Sequence, residues 1–230
     1  MAAIPLRTPV DKAPKVLVFG GLNVSFVHLP VTDYFLERGV IPKVIDVAEG
    51  ISSIAAEGAI RCGFKHGHTD PAEQLAFSPP RAERDDFIAA RLARYGVATI
   101  ESQLKALREA MSPAGLLVDE PIPLAELLAA SAELVSNSGF TETGVTVGRF
   151  ACSLAQGLYD GLVNLGCFNC QPAMSSQAII RPLAGAAEVP YVAIDCEGPW
   201  LAANQREVLE TVAVGAQRVR RRKNLASPER

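Results

Sequence analysis

The apolar positions fall into short continuous runs separated by longer stretches with helical spacing. Residues 15–19, KVLVF, form such a run just before Gly20-Gly21, which predicts a buried strand. Residues 30–38 read as a helix stopped by Gly39, 42–47 as a second strand and 51–61 as a second helix. Strand, helix, strand, helix at this spacing is a βαβ pattern with parallel strands. Residues 1–14 read as a loose arm. Residues 62–80 are polar, broken by Gly and Pro, and read as a loop or linker. From 81 to 111 the chain is rich in Ala, Arg, Leu and Glu. Phe87, Ile88, Leu92, Tyr95, Ile100, Leu104 and Leu107 recur there at roughly helical spacing. One or two long helices are expected, with a break at Gly96, forming an insertion or a dimerisation arm.

The second half repeats the alternation. Helices are expected over 124–136 and 143–157, then a buried strand at 161–165, GLVNL. A helix at 174–184 follows, shortened by Pro182, then a fourth strand at 190–195, PYVAID, and a long closing helix over 200–222. The fold class is α/β, with parallel sheets flanked by helices and room for two βα subdomains. The expected organisation is an N-terminal βαβ subdomain over 15–80, a helical connector or arm over 81–122 and a C-terminal α/β subdomain over 123–223.

Composition narrows the class further. The 230 residues are 49% hydrophobic and 20% charged, which suits a globular chain able to bury a core. The net charge of -3 offers no electrostatic footprint for nucleic acid. One basic cluster, Arg218, Arg220, Arg221, Arg222 and Lys223, closes the last helix. There cations complement the dipole, and a solvated helix end is preferred over a phosphate or partner patch. No apolar run reaches the roughly 20 residues of a membrane span, and the first residues lack a signal-peptide core. A cytoplasmic protein without membrane contact is expected. Five cysteines, an odd number, argue against a disulfide framework and leave reduced thiols or metal and cluster ligands.

The chemistry concentrates where parallel strands end, since ligands gather at their carboxyl edge. The strand GLVNL runs into GCFNCQP, in which Cys167 and Cys170 form a CxxC. That spacing lets two thiolates share a metal or cluster, or form a redox pair. Zinc needs two further ligands, and no second CxxC exists. An iron–sulfur cluster needs about three or four thiolates, which Cys170 and Cys167 with a distant Cys62 or Cys196 would supply. Small buried thiols at a tight turn are the alternative. Asp195-Cys196-Glu197-Gly198 ends the fourth strand and is expected beside the first turn. Asp195 and Glu197 there are candidates to orient a ligand or donate protons, or simply carboxylates favoured near a helix start. Gly20-Gly21-Leu22-Asn23 resembles a phosphate-binding turn but lacks the glycine spacing and a Walker lysine, so a tight turn is preferred. Cys62, His66 and His68 have spacing that suits a metal, against the alternative of solvated loop histidines. His28 has no evident partner.

Residues 163–172, VNLGCFNCQP, resemble a known strand motif, "iVNlmPFnCmPg", of the 2-hydroxyacyl-CoA dehydratase and benzoyl-CoA reductase superfamily. The likeness is to its acyl-CoA dehydratase activase-related and double-cubane-cluster members. Cys170 falls on the family cysteine, Phe168-Asn169 on its neighbours and Pro172 on the following proline. Upstream, Thr146-Val147-Gly148-Arg149 and the stretch from Gly157 to Asp160-Gly161 are similar to "lsiGka…a..gadGivn". Downstream, PYVAIDCEG resembles "iPfl.l.yeG", with Glu197-Gly198 on the acidic–glycine pair, and 204–206 falls near "TRleaf". The resemblance covers roughly 124–222, and 15–48 more loosely. It implies a Rossmann-like fold and Cys170 as a ligand of a 4Fe–4S or double-cubane cluster. It also implies reduction of difficult substrates, often CoA thioesters, with electrons from an ATP-driven activator. Cys167 stands where the family usually has proline, and Cys196 where it often has an aromatic residue. Three functions are therefore expected in turn: an iron–sulfur subunit, a cluster-free scaffold packing on a partner through 81–111 in a homo- or hetero-oligomer, and a zinc or thiol-redox CxxC protein.

Overall fold

The structure, a computed structural model, describes residues 8–22, 24–136, 141–196, 198 and 200–226. Of the expected N-terminal arm, 1–7 lie outside the described residues, and 8–14 turn directly into the first strand. Four strands, β1 (Lys15–Gly20), β2 (Ile41–Val44), β3 (Gly161–Cys167) and β4 (Tyr191–Cys196), pair in the order β2-β1-β3-β4. Every pairing is parallel. β1, from the first half of the chain, lies beside β3, from the second, so the two halves share one sheet. The architecture is α/β and Rossmann-like.

β1 is buried along its whole length, and β3 up to its last residue, which explains their unbroken apolar runs. Alternate side chains serve different cores. Val16, Val18, Val163, Leu165, Val192 and Ile194 face α2 (Leu29–Leu36) and α9 (Ala203–Ala226). Leu17, Phe19 and Leu162 face α7 (Glu142–Gln156) and α8 (Gln171–Ala186) on the other side. α7 begins at Thr141, whose side chain accepts the Thr143 N–H, and ends at Gly157 in the left-handed conformation, φ 61°.

Beyond α7 lies a further helical layer. α3 (Val47–Lys65) runs antiparallel to α5 (Arg84–Met111), and α6 (Leu124–Ser131) packs across α7. At Gly148 a Cβ would stand 1.9 Å from the Leu127 carbonyl oxygen, so the backbones of α6 and α7 touch there. α1 (Val24–Val27) is a single turn after β1. No helix among the described residues is long and apolar enough to cross a membrane.

Four sequence expectations are corrected by the structure. The stretch 62–80 is not a loop: α3 continues through Lys65, and α4 (Pro71–Ala76) follows. The Asp70 side chain caps α4 by accepting the Glu73 N–H at 2.9 Å. α5 does not break at Gly96, which instead faces Ala55 of α3 and allows close approach. Pro182 does not shorten α8, because it lies on the exposed side, where water can serve the carbonyl it leaves unpaired. The 124–136 helix is shorter than expected and ends at Ser131.

The basic cluster is partly structural. Arg220 Nε and Lys223 Nζ reach the fully buried Asp160 at 2.8 and 3.0 Å. Asp160 also accepts the Lys15 backbone N–H at 2.9 Å, so α9 is clamped to the amino end of the sheet.

Candidate functional site

At the opposite edge, β3 and β4 end together. Their register pairs Gly166 with Asp195 and Cys167 with Cys196. The chain then turns: the Cys170 N–H donates to the Cys167 carbonyl at 3.1 Å, and Asn169 takes a left-handed φ of 57°. Asn tolerates that conformation better than most residues. Cys170 is the N-cap position of α8, with Pro172 in the first turn, where its missing N–H does no harm. Cys167 is exposed, and Cys170 and Cys196 are half-buried.

Cys167 and Cys196 are both perturbed by a neighbouring thiol. Burial, then Cys170, then Glu142 push the Cys167 thiol up. Burial, then Cys167, then Asp195 push Cys196 up to about 11. Without a metal both stay protonated at neutral pH, so neither is an activated nucleophile of the kind a thiol-redox centre uses.

Asp195 stands at the rim. Its Oδ1 accepts from Gln177 Nε2 of α8 at 2.8 Å, and its carbonyl accepts from Gln205 Nε2 of α9 at 3.0 Å. Gly166 makes room: a Cβ there would lie 3.1 Å from Gln177 Nε2 and 3.3 Å from Asp195 Oδ1. Glu197, the second expected carboxylate, lies outside the described residues. Phe168, Met174 and Trp200, on the segments that frame the thiols, are all more than half exposed.

Cys62 is not brought to this edge. It is buried late in α3, where its electrostatic neighbours are Asp86, Lys65, Glu83 and Arg94. It lies about 22 Å along the helix from Val47, at 1.5 Å per residue. His68 packs on Phe77, with ring centres 4.5 Å apart, and lies 3.4 Å from Glu73. His28 Nδ1 bonds the Val24 carbonyl at 2.9 Å.

The glycine turn after β1 closes tightly on β3. Gly20 has φ 152°, and a Cβ there would meet the Leu165 carbonyl oxygen at 2.1 Å. The Leu22 N–H, a candidate for phosphate, donates instead to Glu142 Oε1 at 3.2 Å. A carboxylate in that place disfavours an anionic ligand. Asn23 lies outside the described residues.

Behind this turn is a feature the sequence reading missed. Arg149 of α7 is almost wholly buried and donates to Asp119 Oδ2 at 2.5 Å, with Glu49 Oε1 at 3.1 Å. Tyr159 donates to the same Asp119 oxygen at 2.6 Å. Lys43 and Arg108 approach Asp119 Oδ1 at 3.7 Å each, and both also reach Asp46. Burial opposes ionisation of Asp119, but Lys43, Tyr159 and Arg149 together hold it below its ordinary value. Glu49 is pushed up to about 7, by burial first, against the pull of Arg149. It also borders an apolar cavity of about 290 Å³ lined by Leu104, Ile122 and Leu127. An arginine inside an otherwise apolar helix face was the available signal. Its partners sit on separate, unassigned segments.

Comparison of the chain with known protein families, curated proteins and solved structures returned no match.

Proposed function

We propose that the chain is an iron–sulfur protein, or a subunit of one, related to the 2-hydroxyacyl-CoA dehydratases. In this reading Cys167, Cys170 and Cys196 are the thiolate ligands. The observation that carries it is the register pairing of Cys167 with Cys196 beside the Cys170 cap, which supplies a third thiol next to the CxxC. The donor chemistry supports this reading: three thiols stand near one sheet edge, on two strands and a helix start. A 4Fe–4S cluster takes four ligands, so one iron would remain for a partner residue or a substrate oxygen. The raised thiols lose their protons to a bound metal far more readily than to water. In this reading Asp195, held by Gln177, is the candidate to hold or pass a proton near such a centre. The cluster would carry electrons at low potential, delivered by an ATP-dependent activator protein, to a substrate reduction.

Anaerobic purification followed by iron and acid-labile sulfide analysis tests this. Iron and sulfide are expected in equal amounts, with broad visible absorption. Both should fall in Cys167→Ser, Cys170→Ser and Cys196→Ser and persist in Cys62→Ser and Cys152→Ser. A chain that takes up no iron on anaerobic reconstitution refutes the reading.

A second reading, a scaffold subunit, draws on α5. Ile88, Leu92 and Tyr95 follow one another at i, i+4 and i+7, and all stay exposed at 43%, 65% and 74%. Such a stripe suits docking to a cluster-bearing subunit. Assembly with that subunit surviving Cys170→Ala but lost in Leu92→Glu/Tyr95→Glu would favour it.

A further inference from the structure

The end of α3 and the start of α5 hold a cluster that the strand-end site does not use. Cys62 lies in the last turn of α3, His66 is the C-cap residue one turn on, and Asp86 lies in the first turn of α5. Their ligand atoms, one from each residue, all lie within 4.8 Å of one another. Glu83, the N-cap residue of α5, brings Oε2 to 3.0 Å from His66 Nε2. That nitrogen is fully buried and makes no hydrogen bond. The His66 ring is held against Phe77, with ring centres 4.8 Å apart. A thiol, an imidazole and a carboxylate therefore converge from two helices, with the Glu83 carboxylate against the buried ring nitrogen.

This donor set is chemically selective. Thiolate with imidazole suits zinc-type, borderline-soft ions, whereas calcium and magnesium prefer oxygen alone. Tetrahedral bonds of about 2.0–2.3 Å place ligand atoms roughly 3.3–3.8 Å apart, so closing the present group needs side-chain movements of about 1 Å. Lys65, which bonds Asp86, and Arg94 offset the negative charge that one thiolate and two carboxylates bring to a divalent ion.

We propose that Cys62, His66 and Asp86, completed by Glu83, bind a zinc-type divalent cation that staples the end of α3 to the start of α5. On binding, the metal–sulfur bond replaces the S–H bond of Cys62, and one proton leaves to solvent. No electron is exchanged, and the site is independent of any cluster at the strand ends. Its role is structural: it fixes the antiparallel α3–α5 pair at the end opposite the Asp46–Arg108 contact.

The test uses the full chain with Cys167, Cys170 and Cys196 replaced by serine, stripped with chelator and titrated with cobalt(II). One equivalent should bind, giving the strong visible bands of a tetrahedral ion and a thiolate-to-cobalt charge-transfer band, and zinc should displace it. Cys62→Ser should abolish the charge-transfer band, and Asp86→Asn or His66→Ala should weaken binding by more than the roughly tenfold that loss of an outer-shell partner costs. No charge-transfer band, or one that survives Cys62→Ser, overturns the proposal. Where circular dichroism shows the triple variant unfolded, the wild-type chain is loaded with zinc alone. Retained zinc and a raised thermal midpoint that both vanish in Cys62→Ser then support the site, and no change between the two chains refutes it.

Discussion

Glu49 makes the buried charge network testable through stability alone. Its carboxyl is pushed from 4.5 to about 7 because desolvation outweighs the attraction of Arg149. A carboxyl whose folded pKa is raised binds its proton more tightly in the folded state. Its contribution is therefore fully present below about 4.5 and is lost as pH rises through about 7. At about 1.4 kcal/mol per unit, the loss is about 3 kcal/mol, a large share of a domain's stability. Glu49→Gln imitates the protonated form at every pH. Urea unfolding of both chains from pH 5 to 8.5, under identical conditions, isolates this one group. The variant should lie closest to the wild type at pH 5 and gain a further advantage of about 2–3 kcal/mol over it by pH 8.5, with unchanged m-values. If instead the wild type gains on the variant as pH rises, the Arg149 ion pair at 3.1 Å dominates and the desolvation reasoning is wrong.

Other substitutions probe the frame around the site. Gly148→Ala should destabilise by about 3 kcal/mol or more, read by thermal unfolding, because its Cβ would sit 1.9 Å from the Leu127 carbonyl and force α6 off α7. Asp160→Ala should lose about 3 kcal/mol in denaturant titration, since it strands Arg220 and Lys223 and leaves the Lys15 N–H without its carboxylate. Asn169→Val should lose about 1–2 kcal/mol through its left-handed backbone, while Asn169→Gly stays close to wild type.

The strands and most helices were legible because their patterns are local. β1 and β3 are continuous apolar runs, and α7 shows a clear period with a glycine stop. α4 was missed despite a readable start: Asp70 as cap, Pro71 next and Glu73 three residues on form a recognisable helix signal in a polar stretch. Gly96 was misread because a glycine that breaks a helix and one that lets two helices touch look alike until the partner is known. The CxxC could be read from spacing. Its relation to Cys196 depends on which strands are neighbours and in what register, and no local pattern carries that. The Arg149 network is harder still, since Asp119 and Tyr159 lie outside the regular elements that the periodicity defines.

The alignment of Cys167 with Cys196 also sets the timing of any loading reaction. Parallel neighbours can meet only once the intervening helix has crossed over and the long loop between them has closed. A newly made chain offers a metal only the two thiols of the turn, and the trio exists only once the sheet is complete. A ligand that requires all three therefore binds the finished fold alone. It then raises the unfolding free energy in step with its own affinity and concentration. A slip of β4 by one residue would turn Cys196 to the other face of the sheet, so occupancy of the trio would report whether the register is correct.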